Sequence, residues 1–183
     1  MRVTSIVVGM GLLFSSMLAQ AEIFADGTGY EGDNYFGVMV ASPRFEFDDS
    51  GDEFRGTGMF ARAGREFFKY AAVEGHFGIF SSDTVDGENY QIEYMASLFG
   101  RGNIFLFDDR ARAYALAGMT YFAGDVPGWN SVSETSFSYG LGVELYGGSR
   151  DAVSLEWIRY ADEDIHNQDY TIESVNLGYI HRF

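Results

Sequence analysis

The chain contains no cysteine. Disulfide frameworks, cysteine-ligated zinc, thiol catalysis and a lipid-bearing N-terminal cysteine are therefore excluded. Basic residues are scarce, twelve against twenty-seven acidic ones, for a formal charge of −15. Nucleic acid is excluded as a partner, because phosphate binding needs a basic face to release counterions. Lys69 is the only lysine, which is unusual for a surface bathed in water. Beyond the N-terminal segment no stretch is apolar enough for a spanning helix. What is present is 46 % hydrophobic residues, too many for intrinsic disorder. Aromatics at 17 %, twenty-three glycines and only two prolines point to a sheet-rich fold, and 183 residues fit one domain.

The first segment reads as an address. Arg2 is the only charged side chain before a mostly apolar run from Ile6 to Leu18, which ends at Ala19-Gln20-Ala21 ahead of Glu22. A basic start, a short apolar run and an A-x-A site describe a secretory signal peptide over residues 1–21, with Ala19 and Ala21 marking cleavage. The run is shorter than the roughly 20 residues a membrane-spanning helix needs. Residues 22–33 then form a short N-terminal segment ahead of a single domain over 34–183.

That domain repeats a period of two. Over 135–146, Phe137, Tyr139, Leu141, Val143 and Leu145 share one face, and Ser136, Ser138, Gly140, Gly142 and Glu144 share the other. Successive strand side chains point to opposite faces, so this is a strand with one apolar and one small or polar side. The same alternation predicts strands near 34–44, 55–67, 70–81, 90–100, 111–122, 135–146, 152–161 and 172–183. In the first and fifth, either face could be the apolar one. Long polar connections near 45–54, 81–89, 123–134 and 162–171 alternate with tight ones at Phe68-Lys69 and 147–151. The 101–110 connection is an exception, being longer and apolar at Ile104-Phe105-Leu106-Phe107. Alternating long and short links describe an up-and-down meander with two different ends.

Three features set the apolar face toward lipid and the polar face inward. The polar face is built from Gly, Ser, Ala and scattered Glu or Arg, small enough to fill a narrow barrel. Aromatics gather toward strand ends (Tyr35, Phe36, Phe67, Phe68, Tyr70, Phe80, Tyr90, Tyr121, Phe122, Tyr160, Tyr179 and Phe183), as interfacial girdles require. The strands also match the 9 to 11 tilted residues that cross an outer membrane. The expected fold is an all-β, eight-stranded antiparallel up-and-down transmembrane β-barrel. A soluble barrel binding a ligand inside is the inverted alternative.

The last residues, Asn176-Leu177-Gly178-Tyr179-Ile180-His181-Arg182-Phe183, resemble the C-terminal signal of bacterial outer-membrane barrels, with Gly178, Tyr179 and Phe183 as its elements. His181 stands where an apolar or aromatic residue is usual. Together with Tyr139–Leu145, Val153–Tyr160, Ser174–Gly178 and Ala63–Glu74, this ending resembles the OmpA/OmpX-like eight-stranded barrel family over most of 34–183. The resemblance implies residence in the Gram-negative outer membrane, contact with its lipid and lipopolysaccharide, and folding by the barrel-assembly machinery. It also implies outward long loops, periplasmic turns and N-terminus, and a monomer. No peptidoglycan-binding domain is expected after the barrel.

No residue set carries a catalytic signature, and no cofactor or metal is expected. Neither His76 nor His181 is followed by a nearby serine, and His166 lies in an acidic loop, so a hydrolase would need a serine from another strand. The inward face is expected to carry Arg62, Glu66, Glu74, Glu93, Glu144, Glu156 and Arg182. Ionised groups in a narrow lumen are costly unless paired, which points to an Arg–Glu network that plugs the barrel. The alternative is a narrow channel, cation-preferring because Glu outnumbers Arg in that set. The acidic loops (Asp48, Asp49, Asp52, Glu53; Asp83, Asp86, Glu88; Asp162, Glu163, Asp164, Asp169) match no twelve-residue calcium loop and read as a solvated, self-repelling surface. Trp129, in Pro127-Gly128-Trp129-Asn130, could touch a partner. A structural or surface-exposed role without enzymatic activity is the leading expectation, with adhesion as a third reading.

Overall fold

The structure, a computed structural model, describes residues 33–47, 53–81, 83–85, 88–107, 110–125, 132–147, 150–165 and 168–183. The expected signal peptide and nearly all of 22–33 lie outside the described residues, as do Trp129 and His166. The strands are β1 (Asn34–Phe47), β2 (Glu53–Arg55), β3 (Gly58–Phe68), β4 (Ala71–Phe80), β5 (Asp83–Val85), β6 (Glu88–Leu106), β7 (Ala111–Asp125), β8 (Val132–Tyr146), β9 (Asp151–Ile165) and β10 (Gln168–Arg182). β2 pairs with the far end of β1 and leads into β3, while β5 follows β4 and pairs with the start of β6. The wall therefore has eight long staves, each antiparallel to the next. Pairing of β10 with β1, from Tyr35↔Arg182 to Phe47↔Tyr170, closes it. Closure gives each of the eight staves a partner on both sides, as lipid demands.

Alternation dictates the two surfaces. On β8, Phe137, Leu141 and Leu145 are exposed while Ser136, Ser138 and Glu144 are buried. The same outward apolar side recurs as Val38 and Val40 on β1, Phe77 and Ile79 on β4, Val153 and Leu155 on β9, and Val175 and Leu177 on β10. This exposed belt has no place in water and matches the lipid-facing band of a membrane barrel. The ambiguous first and fifth strands resolve the same way. Tyr35 and Met39 turn inward on β1, and Tyr114, Leu116 and Thr120 on β7, leaving Val38, Val40 and Met119 outside.

The inside is packed in two zones. Toward the long-loop end lies an apolar cluster of Met39, Phe60, Met95, Phe99, Leu116, Ile158, Tyr160 and Ile172. Within it Phe60 stacks on Tyr160 with centroids 5.6 Å apart. Toward the short-turn end the interior is ionic.

Three sequence expectations change. The apolar 101–110 connection is mostly strand: β6 runs on to Leu106, which pairs with Ala111. Arg101 and Asn103 point inward there and Ile104 and Leu106 outward, so the alternation never stopped. Phe105 obscured it by lying under the Arg112 guanidinium, 4.3 Å from its ring centroid. The turn itself closes at Phe107, whose φ of 53° is left-handed. Second, much of the expected long polar loops is hairpin, with Glu46↔Glu53, Val85↔Glu88 and Ile165↔Gln168 still paired. Third, the aromatic set divides. Phe36, Phe68, Tyr70, Tyr179 and Phe183 are exposed on the wall, but Tyr35, Phe122 and Tyr160 are buried inside. A ring near a strand end belongs to whichever face its parity selects, and end position alone does not choose between a girdle and a lumen.

Candidate functional site

Alternation brings eight charged side chains to the lumen, and their order in space is one of strictly alternating sign. Glu156 on β9 accepts from Arg62 Nη2 on β3 at 3.2 Å. The same Nη2 donates to Glu74 Oε1 on β4 at 2.5 Å. Glu74 Oε2 accepts from Arg101 Nη1 on β6 at 2.9 Å, and Arg101 Nη2 donates to Glu144 Oε1 on β8 at 2.5 Å. Glu144 Oε2 accepts from Arg182 Nη2 on β10 at 2.8 Å. Arg182 also donates to Glu66 Oε1 at 3.3 Å, and Arg112 on β7 donates to that same oxygen. The eight side chains are between 0 and 6 % exposed. Charges taken this far out of water persist only when each is paired and hydrogen-bonded.

Neutral partners complete the network. Tyr35 donates to Glu74 Oε2 at 2.5 Å and Tyr114 to Glu156 Oε2 at 2.8 Å. Asn176 Nδ2 donates to Glu156 Oε1 at 3.0 Å, and Tyr146 to Glu144 Oε2 at 2.8 Å. Arg101 lies over the Tyr114 ring, 3.8 Å from its centroid, and its Nε donates to Asn103 Oδ1 at 2.8 Å. Room for the two tyrosine rings comes from glycine. A Cβ on Gly64 would stand 2.3 Å from the Tyr35 ring, and one on Gly142 2.3 Å from that of Tyr114. Small residues on the inward face are thus the counterpart of large ones across the lumen.

Six of the seven predicted lumen residues, Arg62, Glu66, Glu74, Glu144, Glu156 and Arg182, meet in this network; the Glu93 side chain lies outside the described residues. Sequence reading missed Arg101 and Arg112, and with them Tyr35, His76 and Tyr114 as network members. Arg101 continues the inward parity of Ser97 and Phe99, one step past the end of the strand that the sequence predicts at residue 100. The omission matters for charge. Within the network four arginines balance four glutamates, while Glu134, on the same inward parity of β8, stands apart toward the long-loop end and accepts from Tyr170 at 3.3 Å.

His76 is buried, with Nε2 2.5 Å from Glu74 Oε1 and its ring edge-on to Phe99 and Phe60. Its hydrogen-bond partner is the Glu74 carboxylate, and across the ladder it stands opposite buried Ser97 on β6. Ligand atoms of Glu74, His76 and Glu156 approach within 4.8 Å of one another. Arg62 already bridges the two carboxylates as their cation, so a metal ion there would have to displace a guanidinium. Among the hydroxyls, Ser138 donates to Thr120 at 2.7 Å and Thr120 to Ser97 at 2.8 Å, a separate strip inside the apolar zone.

At the C-terminus, Gly178 faces inward where a Cβ would meet Met39 at 2.6 Å, while Tyr179 and Phe183 are exposed on the wall. His181 Nδ1 and the Tyr179 hydroxyl converge on Asp151 Oδ1 at 2.8 and 2.5 Å, beside the β8–β9 turn. The acidic loop side chains lie outside the described residues.

Comparison with known proteins agrees with this architecture. The family profile of the outer membrane protein beta-barrel domain matches residues 7–183. Ail, the attachment invasion locus protein of Yersinia pestis, superposes with a TM-score of 0.62 at 17 % identity, over 84 % of this chain and 100 % of Ail. Neisserial surface protein A gives a TM-score of 0.64 at 12 % identity, again over 84 % and 100 %. The N-terminal barrel domain of Pseudomonas aeruginosa OprF gives 0.53 at 13 % identity with the same coverage. No curated protein sequence matches the chain. With a closed eight-stave wall, a lipid-facing belt and a profile match over nearly its whole length, the chain belongs to the outer membrane protein beta-barrel domain family and resides in the outer membrane.

Proposed function

We propose that this protein is a sealed, non-enzymatic barrel with a structural or surface-exposed role, its long loops facing the medium and its short turns the periplasm. The observation that carries the reading is the alternating chain of four Glu and four Arg side chains across the lumen. An eight-stranded barrel is just wide enough to be filled by side chains. An ion crossing it would have to separate charge pairs at 2.5 to 3.3 Å, which attract far more strongly in a low-dielectric interior than in water. The names of two structural neighbours, an attachment invasion locus protein and a neisserial surface protein, go with a place at the cell surface. The non-enzymatic reading is supported by His76, whose buried imidazole is tied to Glu74 and flanked by Phe60 and Phe99, and makes no hydrogen bond to the hydroxyl of Ser97 opposite it. Assembly by the barrel-assembly machinery and a monomeric state belong to the same reading.

Planar-bilayer recording tests it. The purified barrel is expected to give no discrete conductance steps at neutral pH. Discrete cation-selective steps that Glu144→Gln or Glu93→Gln abolishes would overturn the sealed-barrel reading in favour of a narrow channel.

A further inference from the structure

The chain of alternating charge in the lumen starts at Glu156 and ends at Arg112. Each arginine inside it is held between two carboxylates: Arg62 between Glu156 and Glu74, Arg101 between Glu74 and Glu144, and Arg182 between Glu144 and Glu66. Arg112 touches Glu66 alone among the described residues, on an oxygen that Arg182 already shares. The terminal cation therefore has half the acidic contacts of each inner one. Glu156, the other terminus, is complemented by neutral donors, Tyr114 and Asn176. The further contacts of Arg112 are the faces of Phe105 and Tyr146, 4.3 and 5.5 Å from its guanidinium carbon. Ring faces attract the cation but accept nothing from its in-plane N–H groups.

Three buried nitrogens at this end donate to no acceptor among the described residues: Arg112 Nε, Arg182 Nη1 and Asn103 Nδ2. Their residues are only 4 to 5 % exposed. They are also neighbours. Arg112 and Arg182 meet on Glu66 Oε1 and lie against the same Tyr146 ring, 5.5 and 4.8 Å from its centroid. Asn103 stands opposite Tyr114 on the β6–β7 ladder, one inward step from Arg112, a diagonal separation of about 7–8 Å. Arg101 Nε donates to Asn103 Oδ1, which fixes the amide and turns Nδ2 away from that guanidinium. The hydroxyls nearby are engaged, since Tyr35, Tyr114 and Tyr146 direct their protons to Glu74, Glu156 and Glu144. A buried N–H without an acceptor is costly, and a charged one more so. Arg62 Nε and His76 Nδ1, which also have no partner, lie toward the apolar cluster beside Glu74 and belong to a different place. Arg112 and Arg182 keep 6 and 4 % of their side chains exposed while Arg62 and Arg101 keep none, so the route inward is from the short-turn end.

We infer that Arg112, Arg182 and Asn103 form a binding site for a small monovalent anion of the halide class, chloride in the cell, at the short-turn mouth of the lumen. The anion is the next link of the alternating chain and gives Arg112 the second negative contact that each inner arginine has. All three contributing groups donate and none accepts, so the site takes no metal ion. Desolvating an ion costs more as its charge grows, which selects a single charge at a place this buried. The inference goes beyond the sealed-barrel reading and depends neither on conductance nor on which way the loops face.

Two measurements on the full-length barrel test it. In crystals grown with sodium bromide, an anomalous peak is expected within hydrogen-bond reach of Arg112 Nε, Arg182 Nη1 and Asn103 Nδ2. In phospholipid vesicles, the urea midpoint is expected to rise as sodium chloride replaces sodium gluconate at fixed ionic strength. A ligand held by the folded state alone raises the folding equilibrium constant about tenfold for each tenfold rise in its concentration above Kd. Asn103→Asp sets a carboxylate of the same shape beside the two guanidiniums and should abolish both the peak and the chloride dependence. Arg112→Gln removes the terminal cation and should do the same. Arg159→Gln, on the outer wall, should keep both. No peak at the mouth, or a chloride dependence equal in the unaltered barrel and Asn103→Asp, would overturn the inference. So would a peak without any chloride effect on stability, which marks an adventitious ion only. Heat-dependent gel mobility reports whether each variant is folded. If Arg112→Gln is not, Asn103→Asp carries the readout, and the bromide and chloride results on the unaltered barrel stand without either. Conductance steps would overturn the sealed-barrel reading and leave these results intact, so the two fail separately.

Discussion

Arg101→Met is the most informative single change in the lumen. The arginine donates to Glu74, Glu144 and Asn103 and covers the Tyr114 ring. Methionine keeps much of the stem and its packing while removing the charge. Glu74 retains Arg62 and Tyr35, and Glu144 retains Arg182 and Tyr146. The lumen is left with one uncompensated negative charge shared between two buried carboxylates. Breaking a buried pair in this way costs about 3–5 kcal/mol, against about 0–1 kcal/mol for an exposed one. Adding Glu144→Gln to Arg101→Met restores neutrality. The double variant is therefore expected to be more stable than the sum of the two single losses by at least about 1 kcal/mol, within the range found for residues sharing a network. Urea unfolding in phospholipid vesicles, followed by the gel shift between folded and unfolded barrel, gives both quantities. A loss below about 1 kcal/mol for Arg101→Met, with additive behaviour in the double variant, would refute a dry ionic lumen and mean that water screens these charges.

Other expectations are independent of that chain. Leu141 is 62 % exposed on the belt, so Leu141→Arg should destabilise the barrel in vesicles by about 2–4 kcal/mol if it lies near the bilayer midplane; a neutral result would place it outside lipid. Gly142→Val drives a Cβ into the Tyr114 ring and should cost roughly 1–3 kcal/mol, whereas a Cβ on Gly102 meets nothing within 4 Å and Gly102→Val should be tolerated. Equal urea midpoints for the two valine variants would contradict the packing. Phe183 is 65 % exposed, so Phe183→Ala should leave the stability of refolded protein unchanged while lowering the fraction assembled in the outer membrane of cells. A matching loss in both assays would make its role one of packing alone.

Most of the wall could be read from residue order, because a period of two is a local property. Phe137 to Leu145 on one face and Ser136 to Glu144 on the other need no knowledge of the rest of the chain. Reading failed where a local pattern was interrupted by a long-range contact. Phe105 looked like part of an apolar loop because its partner, Arg112, lies on the next strand. Tyr35 and Tyr160 looked like girdle residues because end position is visible in a sequence and lumen depth is not. Losing the end of β6 also hid Arg101, the residue that joins Glu74 to Glu144.

The sequence by itself determined that staves with one apolar and one small or polar face would alternate along the chain, and which residues of most staves face lipid. Only the tertiary structure decided which charges meet. Glu66 finds Arg182 from 116 residues away, and Arg101 joins glutamates 27 and 43 residues distant. The contacts of Arg101 follow from the register of β4, β6, β7 and β8, whereas Glu66 meets Arg182 only when β10 pairs with β1, because barrel closure sets the register of the last strand against the first.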